Sequence, residues 1–260
     1  NKIKMLVHFT TNGTLVTDKL LDIIKEYSTS FQITVEGNEQ KHDSVRLFND
    51  SKKGTYSLIF KNIRKIINQD NNNVTIRINY NNETLDNSEQ LVNDIIGLNS
   101  QKISVALHRI WQEEENTIDY SKIFSFINKL QENNVPVYYM HLETKWNTCY
   151  ADNYNQVVIN YDGNVYKCTA RDFNAANAEG VLKHDGFIDW DVNKVMKRMS
   201  CVTPKVCEDC NRLPSCPGIC SQKIIENGEE MKCALGVNLP IRDYIIYNFN
   251  QYLMKNKKNA

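Results

Sequence analysis

The sequence lacks an excess of either charge, since 31 lysines and arginines face 31 aspartates and glutamates. This balance excludes a general electrostatic attraction to nucleic acid or to an anionic membrane surface. The sequence also lacks an apolar run near the roughly 20 residues that a bilayer span needs, and no signal peptide is recognisable. We therefore expect a soluble, cytoplasmic protein that binds neither nucleic acid nor a membrane.

Cysteine is the residue type that the sequence arranges most distinctively. Of eight cysteines, seven lie in short-range spacings that end in C-x2-C-x5-C-x3-C and a trailing cysteine: Cys149, Cys168, Cys207, Cys210, Cys216, Cys220 and Cys233. A reducing cytoplasm disfavours disulfides, and thiolates in such spacings are typical of metal sites. The spacing alone favours iron–sulfur clusters and leaves zinc sites and purely structural thiols open. We interpret the eighth, Cys201, as a structural or surface thiol.

The first 145 residues alternate between strand-type and helix-type runs, which predicts a parallel sheet with helices outside it. The predicted strands are 3–9, 31–35, 74–80, 103–110 and 135–142, and the predicted helices are 18–27, 56–68, 88–98 and 120–133. Thr17 or Asp18 is the expected N-cap of the first helix. The pattern fits either a barrel or a doubly wound sheet. In both folds ligands bind in the loops after the strands, here 10–13, 36–43, 80–85 and 111–115.

The residues after 145 have a different texture. Strand-type residues flank Asp162-Gly163, which predicts a β-hairpin over 156–168 that returns Cys168 to the neighbourhood of Cys149. Residues 200–236 contain too few apolar residues for a core of their own, so we expect metal sites to hold them together. An amphipathic helix is predicted near 243–255. We place domain boundaries at 1–145, 146–236 and 237–260.

The cysteine order, read as C-x13-G-x4-C, a gap, C-x2-C-x5-C-x3-C, a gap and C, resembles the SPASM domain of radical SAM enzymes that modify peptides and proteins. The resemblance implies two auxiliary [4Fe–4S] clusters. It assigns Cys207, Cys210, Cys216 and Cys233 to an outer cluster, and Cys149, Cys168 and Cys220 to an inner cluster. The fourth inner ligand stays open between an unoccupied coordination position, Asp152 and Cys201.

The upstream half resembles the same family. Residues 9–15 are similar to the third strand and loop of a radical SAM barrel, residues 32–37 with His42, Asp43 and Arg46 to the fourth, and residues 76–80 to the fifth. The resemblance implies an α/β fold, a partial (β/α) barrel followed by a small cysteine-rich SPASM domain with a β-hairpin and a C-terminal helix. It also implies that S-adenosylmethionine contacts Thr34, Arg77 and Asn79.

Two motifs of that family are absent from the printed sequence. These are the C-x3-C-x2-C motif of the catalytic cluster and the Gly-Gly-Glu motif of the second strand. The chain also begins at Asn1 without methionine and with a strand, so we expect a fragment; a degenerate or split natural protein is the alternative. The full-length parent would hold a third [4Fe–4S] cluster and S-adenosylmethionine, and the chain alone would be inactive.

The residue after the second cysteine bears on specificity. Sulfatase-maturing relatives have an aspartate base there, whereas this sequence has Thr169, with Asp172 as a solvated carboxylate nearby. We therefore predict a peptide maturase that acts on a ribosomally made peptide or protein. A non-catalytic iron–sulfur module for electron transfer or peptide binding, and a zinc-stabilised scaffold, are the alternatives.

Overall fold

The structure of the protein is a computed structural model that describes residues 6–81, 83–110, 119–139, 149–201, 205–211, 213, 220–228 and 241–257. The chain divides into two compact units, Asn1–Met140 and His141–Ala260. The boundary predicted at residue 145 lies outside the described residues. Each unit is presented by itself below.

The first unit contains a five-stranded sheet in which every strand is parallel to its neighbours. Its strands are β1 (Leu6–Thr11), β2 (Ser28–Val35), β3 (Asn72–Tyr80), β4 (Ile103–Arg109) and β5 (Val137–Tyr138). Their order in the sheet equals their order in the chain, without the reversal of a doubly wound sheet. Successive parallel pairing of this kind is that of a barrel wall, so the expected α/β fold class is confirmed.

The helices of the first unit that the structure describes connect these strands. They are α1 (Asp18–Ile24), α2 (Glu39–Val45), α3 (Tyr56–Ile67), α4 (Glu89–Ile96) and α5 (Tyr120–Glu132). The predicted N-cap of α1 is confirmed, because the Thr17 hydroxyl accepts from the Leu20 amide at 3.2 Å. Helix α2 corrects the sequence analysis, which treated 36–43 as a loop. Asn38 begins α2 by accepting from the Lys41 amide at 2.9 Å.

The two faces of the sheet differ in chemistry. Alternate residues of β2 and β3 are apolar and almost fully buried, among them Phe31, Ile33, Ile76 and Ile78. Each such side chain contributes roughly 1.5–3 kcal/mol through its removal from water. The residues that alternate with them, such as Ser30 and Thr34 on β2 and Arg77 and Asn79 on β3, are polar and partly exposed. Since the side chains of a strand alternate, burial of the apolar face fixes which polar residues share the other face.

The second unit contains a four-stranded antiparallel sheet. Its strands are β6 (Val158–Ile159), β7 (Asn164–Tyr166), β8 (Gly180–Leu182) and β9 (Ile188–Trp190). The predicted hairpin corresponds to β6 and β7, and Gly163 at its turn has a φ of 83°, a backbone conformation that favours glycine. The sequence analysis did not predict β8 and β9, which extend the hairpin into a sheet.

Helices of four to 17 residues complete the described part of the second unit. They are α6 (Val192–Met199), α7 (Lys205–Glu208), α8 (Ser221–Asn227) and α9 (Ile241–Lys257). Helix α9 confirms the predicted C-terminal helix and extends two residues beyond it at each end. Within the described part of the chain, no helix is both long and apolar enough to span a bilayer.

Candidate metal centre and cofactor face

The three residues predicted to contact S-adenosylmethionine lie together on the polar face of the first unit's sheet. Thr34 on β2 is the register partner of Arg77 on β3. The Arg77 Nε donates to Asn79 Oδ1 at 3.0 Å, and Asn79 Nδ2 donates to Glu36 Oε1 at 3.1 Å. A hydrogen-bonded row of polar side chains therefore crosses the ends of two neighbouring strands.

Glu36 is the anchor of this row. Its side chain is 13% exposed, and Arg46 donates to Oε1 from Nη2 at 2.6 Å and from Nε at 3.0 Å. A mostly buried carboxylate is costly unless it is paired and hydrogen-bonded, and Arg46 with Asn79 meets that requirement. Glu36 in turn fixes the amide of Asn79, which orients the Arg77 guanidinium.

His42 holds the backbone of Glu36 in place through a hydrogen bond. The Glu36 amide donates to His42 Nδ1 at 3.1 Å, so Nε2 carries the proton and donates to the Thr55 hydroxyl at 2.9 Å. The Thr55 hydroxyl donates onward to the Arg46 carbonyl at 3.0 Å. Desolvation lowers the pKa of His42 below its ordinary value, with the charge of Arg46 acting in the same direction and Asp43 and Glu36 opposing it. The imidazole is therefore a neutral structural link.

His108 lies on β4 beside the same row, as the register partner of Asn79. Desolvation lowers the pKa of His108, and the positive charge of Arg77 lowers it further. At neutral pH Arg77 rather than His108 therefore carries the positive charge beside Asn79.

The segments that carry three of the predicted cluster ligands are in contact in the second unit. The Asp152 carboxylate, three residues after Cys149, accepts from the Ser221 hydroxyl, which directly follows Cys220. Burial raises the pKa of the Cys149 thiol; the Ala151 amide opposes the shift, and the charges of Asp152, Cys220 and Cys168 add to it. A second backbone donor, the Ala170 amide, lies 3.4 Å from Cys168 Sγ. Amide groups directed at sulfur stabilise thiolates and tune iron–sulfur clusters.

No three histidine, cysteine, aspartate or glutamate side chains of the described residues gather closely enough around one point to hold one metal ion. Thiolates are soft ligands of the kind that bind both iron–sulfur clusters and zinc. A backbone amide is directed at the sulfurs of Cys149 and Cys168. All six described cysteines are thiols rather than disulfides.

Two ties hold the segment of Cys149 against the segment of Cys168. The buried Lys167 ammonium donates to the carbonyls of Asn153, Tyr154 and Gln156 at 2.7–3.0 Å, which uses all three of its protons. On the other side of Cys168, Thr169 Oγ1 lies 2.6 Å from the Tyr150 hydroxyl. Thr169 thus has a structural partner at the position where sulfatase-maturing relatives have an aspartate.

The predicted outer ligands are only partly described. Cys207 and Cys210 lie in one tight turn, in which the Cys210 amide donates to the Cys207 carbonyl at 3.1 Å. Cys216 and Cys233 lie outside the described residues. Cys201 follows α6, and its Sγ donates to the Lys197 carbonyl at 3.5 Å.

Apart from Asp152, sequence reasoning missed the residues that surround the inner cysteines. Asp152 accepts from the Ser221 hydroxyl, and its Oδ1 lies 3.7 Å from the buried Arg198 guanidinium. Arg198 pairs with the buried Glu179. No local pattern distinguishes a buried arginine from an exposed one on an amphipathic helix, so the sequence offered no signal for this group.

Comparison with solved structures identifies the class of fold. Neither family models nor curated proteins match the sequence. Among solved structures, anSMEcpe with bound AdoMet is 17% identical over 97% of this chain and 72% of its own length, with a TM-score of 0.66. The complex of anSMEcpe with AdoMet and the Kp18Cys peptide is 16% identical over 97% of this chain and 76% of its own length, with a TM-score of 0.64. SuiB of Streptococcus suis bound to S-adenosylmethionine is 15% identical over 88% of this chain and 59% of its own length, with a TM-score of 0.58.

These solved structures are radical SAM–SPASM enzymes. The likeness confirms the fold that the sequence resemblance implied. At identities of 15–17%, this likeness establishes the fold of the chain alone.

The role of His42 predicts a pH-dependent stability. Because the pKa of His42 is lowered in the folded state, the unfolded chain binds a proton first as the pH falls below about 6.5. The stability that His42 contributes is complete above that pH and decreases below it. His42→Gln should cost about 2 kcal/mol at pH 7 through lost buried hydrogen bonds. The difference from the wild type should shrink by pH 5 in urea unfolding followed by circular dichroism.

The control for this series is His184→Gln, which removes an exposed histidine of the second unit. It should follow the wild-type curve throughout. A His42→Gln penalty that stays constant from pH 7 to pH 5 would contradict the neutral, buried imidazole.

Proposed function

We propose that this chain is the C-terminal part of a radical SAM–SPASM enzyme that modifies a ribosomally made peptide or protein and carries two auxiliary [4Fe–4S] clusters. The observation that carries the proposal is that side-chain contacts join the segments of Cys149, Cys168 and Cys220, in a chain that has the fold of such enzymes. Peptides bound to anSMEcpe and to SuiB support a peptide as the substrate class.

The cysteines divide between the two clusters by position. Cys149, Cys168 and Cys220 would hold the inner cluster, where backbone amides already point at two of the three sulfurs. Cys207 and Cys210 would supply two ligands of the outer cluster, and Cys216 and Cys233 the others. When bound, such clusters supply one-electron transfer or a coordination position for substrate. The protein fixes the sulfurs, excludes water from Cys168 and sets the surrounding charge.

The polar face of the first unit would bind S-adenosylmethionine. A guanidinium is a fork of donors that matches a carboxylate, so Arg77 would bind the carboxylate of the methionine moiety. Asn79 and Glu36 hold Arg77 in place, and Thr34 lies opposite it as a hydroxyl donor or acceptor. Reductive cleavage requires the C-x3-C-x2-C motif, which the printed sequence does not contain, so the proposal assigns that step to the full-length protein.

The first test is the metal content of the anaerobically purified and reconstituted chain. We expect about eight irons with matching sulfide, as two four-iron clusters give. The variant Cys149→Ala/Cys168→Ala should retain about half of that iron, and so should Cys207→Ala/Cys210→Ala, because each removes one cluster. The electron paramagnetic resonance spectra of the two reduced variants should add up to that of the wild type.

The same measurement separates the alternatives. Zinc without sulfide would replace the proposal by a zinc-stabilised scaffold. Iron and sulfide in the complete gene product without cleavage of S-adenosylmethionine under strong reductant would favour a non-catalytic electron-transfer module.

A second test concerns Arg77 in the protein that the complete reading frame encodes. Arg77→Met should weaken S-adenosylmethionine binding by about tenfold or more, because a hydrogen bond to a charged group contributes about 1.5–3 kcal/mol. Arg77→Lys should recover only part of the affinity, since an ammonium lacks the planar fork. The measurement is calorimetric titration, with the exposed Arg64→Met as the charge-matched control. Equal affinity of Arg77→Met and Arg64→Met would remove Arg77 from the site.

A further inference from the structure

The second unit contains a buried ion pair between Arg198 and Glu179. Arg198 is the buried residue of α6, and its side chain and that of Glu179 are 4% and 5% exposed. Nη2 donates to Glu179 Oε1 at 2.6 Å and Nε donates to Oε2 at 3.3 Å, which is a bidentate contact. Such a pair is costly to bury and persists only where further hydrogen bonds complete it.

Those further bonds lead to the segment that follows Cys220. Arg198 Nη1 donates to the Ser221 hydroxyl at 3.1 Å, and Nη2 donates to Gln222 Oε1 at 2.6 Å. Ser221 and Gln222 are themselves buried. Since Ser221 is the residue directly after Cys220, the position of that cysteine is coupled to the guanidinium.

The Arg198–Glu179 pair also contacts the segments that carry Cys149 and Cys168. Asp152, three residues after Cys149, accepts from the Ser221 hydroxyl and lies 3.7 Å from Arg198 Nη1. Arg171, three residues after Cys168, lies 3.7 Å from Glu179 Oε1. The segments that follow Cys149, Cys168 and Cys220 therefore all contact one buried ion pair.

We propose that Arg198, held by Glu179, is the positioning residue of the inner cysteine site: it joins the three ligand-bearing segments around one buried positive charge. This inference rests on the proposed function and concerns the contacts that hold the inner site together. A fixed cation near thiolates offsets the negative charge that a four-iron cluster and its cysteines bring into a low-dielectric interior. Glu179 prevents the guanidinium from turning towards solvent.

The proposal also assigns a role to Asp152, one of the open alternatives for the fourth inner ligand. Its Oδ1 is bound to the Ser221 hydroxyl and faces Arg198, so the carboxylate belongs to the support of the site. Coordination of iron through this oxygen would break the link between the Cys149 and Cys220 segments. Asp152→Asn should therefore retain a full complement of iron.

The test replaces the ion pair rather than breaking it, because a lone buried charge would unfold the protein. The variant Arg198→Met/Glu179→Met substitutes two apolar side chains of similar length, and Lys197→Met removes an exposed cation of the same helix as the control. Both are reconstituted anaerobically alongside the wild type. Iron, sulfide, far-ultraviolet circular dichroism and the resonance spectrum of the reduced protein are measured.

The double variant should keep the wild-type circular dichroism and the outer-cluster signal, while its iron falls from about eight to about four. Lys197→Met should match the wild type. Wild-type iron and an unchanged inner-cluster signal in the double variant would overturn the positioning role and leave the proposed function standing. A wild type without iron and sulfide would overturn both.

A second variant keeps the inference falsifiable if the double variant does not fold. Ser221→Ala/Asp152→Asn cuts the arm between Arg198 and the Cys149 segment without leaving an unpaired buried charge. It should shift the g-values and the midpoint potential of the inner cluster, which a merely structural role would leave unchanged. Wild-type g-values and potential in this folded variant would contradict the proposal.

Discussion

The buried pair of Arg198 and Glu179 is the interaction on which the second unit depends. It stands where α6, the start of β8, the N-terminus of α8 and the turn after Cys149 meet. Desolvation alone would lower the pKa of Arg198, but the hydrogen bond and charge of Glu179, with the charges of Asp152 and Cys168, raise it. The guanidinium is therefore charged at every accessible pH. A small unit poor in apolar residues thus organises its cysteines around one fixed cation.

The first unit follows a different principle, in which apolar alternation places the polar residues. Burial of Ile33 and Ile76 on one face leaves Thr34 and Arg77 on the other, in register on adjacent strands. Supporting contacts then turn that placement into a defined geometry, from His42 through Glu36 to Asn79. The two units share a feature, since in both a partly or fully buried arginine–carboxylate pair supports the residues proposed to bind a cofactor.

Regular elements with strong local signals were predictable from the sequence. The cap at Thr17, the hairpin turn at Gly163 and the alternating β2 and β3 each depend on neighbouring residues. Helix α2 was not predicted, because its seven residues, about two turns, include few apolar ones and depend on the Asn38 cap and the burial of His42. The hydrogen-bond partners of Arg198 lie 19 to 24 residues away, and tertiary packing rather than periodicity selects them. The cysteine spacing predicts a set of ligand thiols, but it does not predict the contacts between the segments that carry them.

X-ray diffraction from crystals of the reconstituted chain, recorded on both sides of the iron absorption edge, tests the central claim most directly. The account predicts an iron peak bounded by the sulfurs of Cys149, Cys168 and Cys220, with the Arg198–Glu179 pair intact alongside it. A second iron peak should lie at Cys207 and Cys210. No iron among the first three sulfurs, or a peak at the zinc edge in its place, would contradict the account.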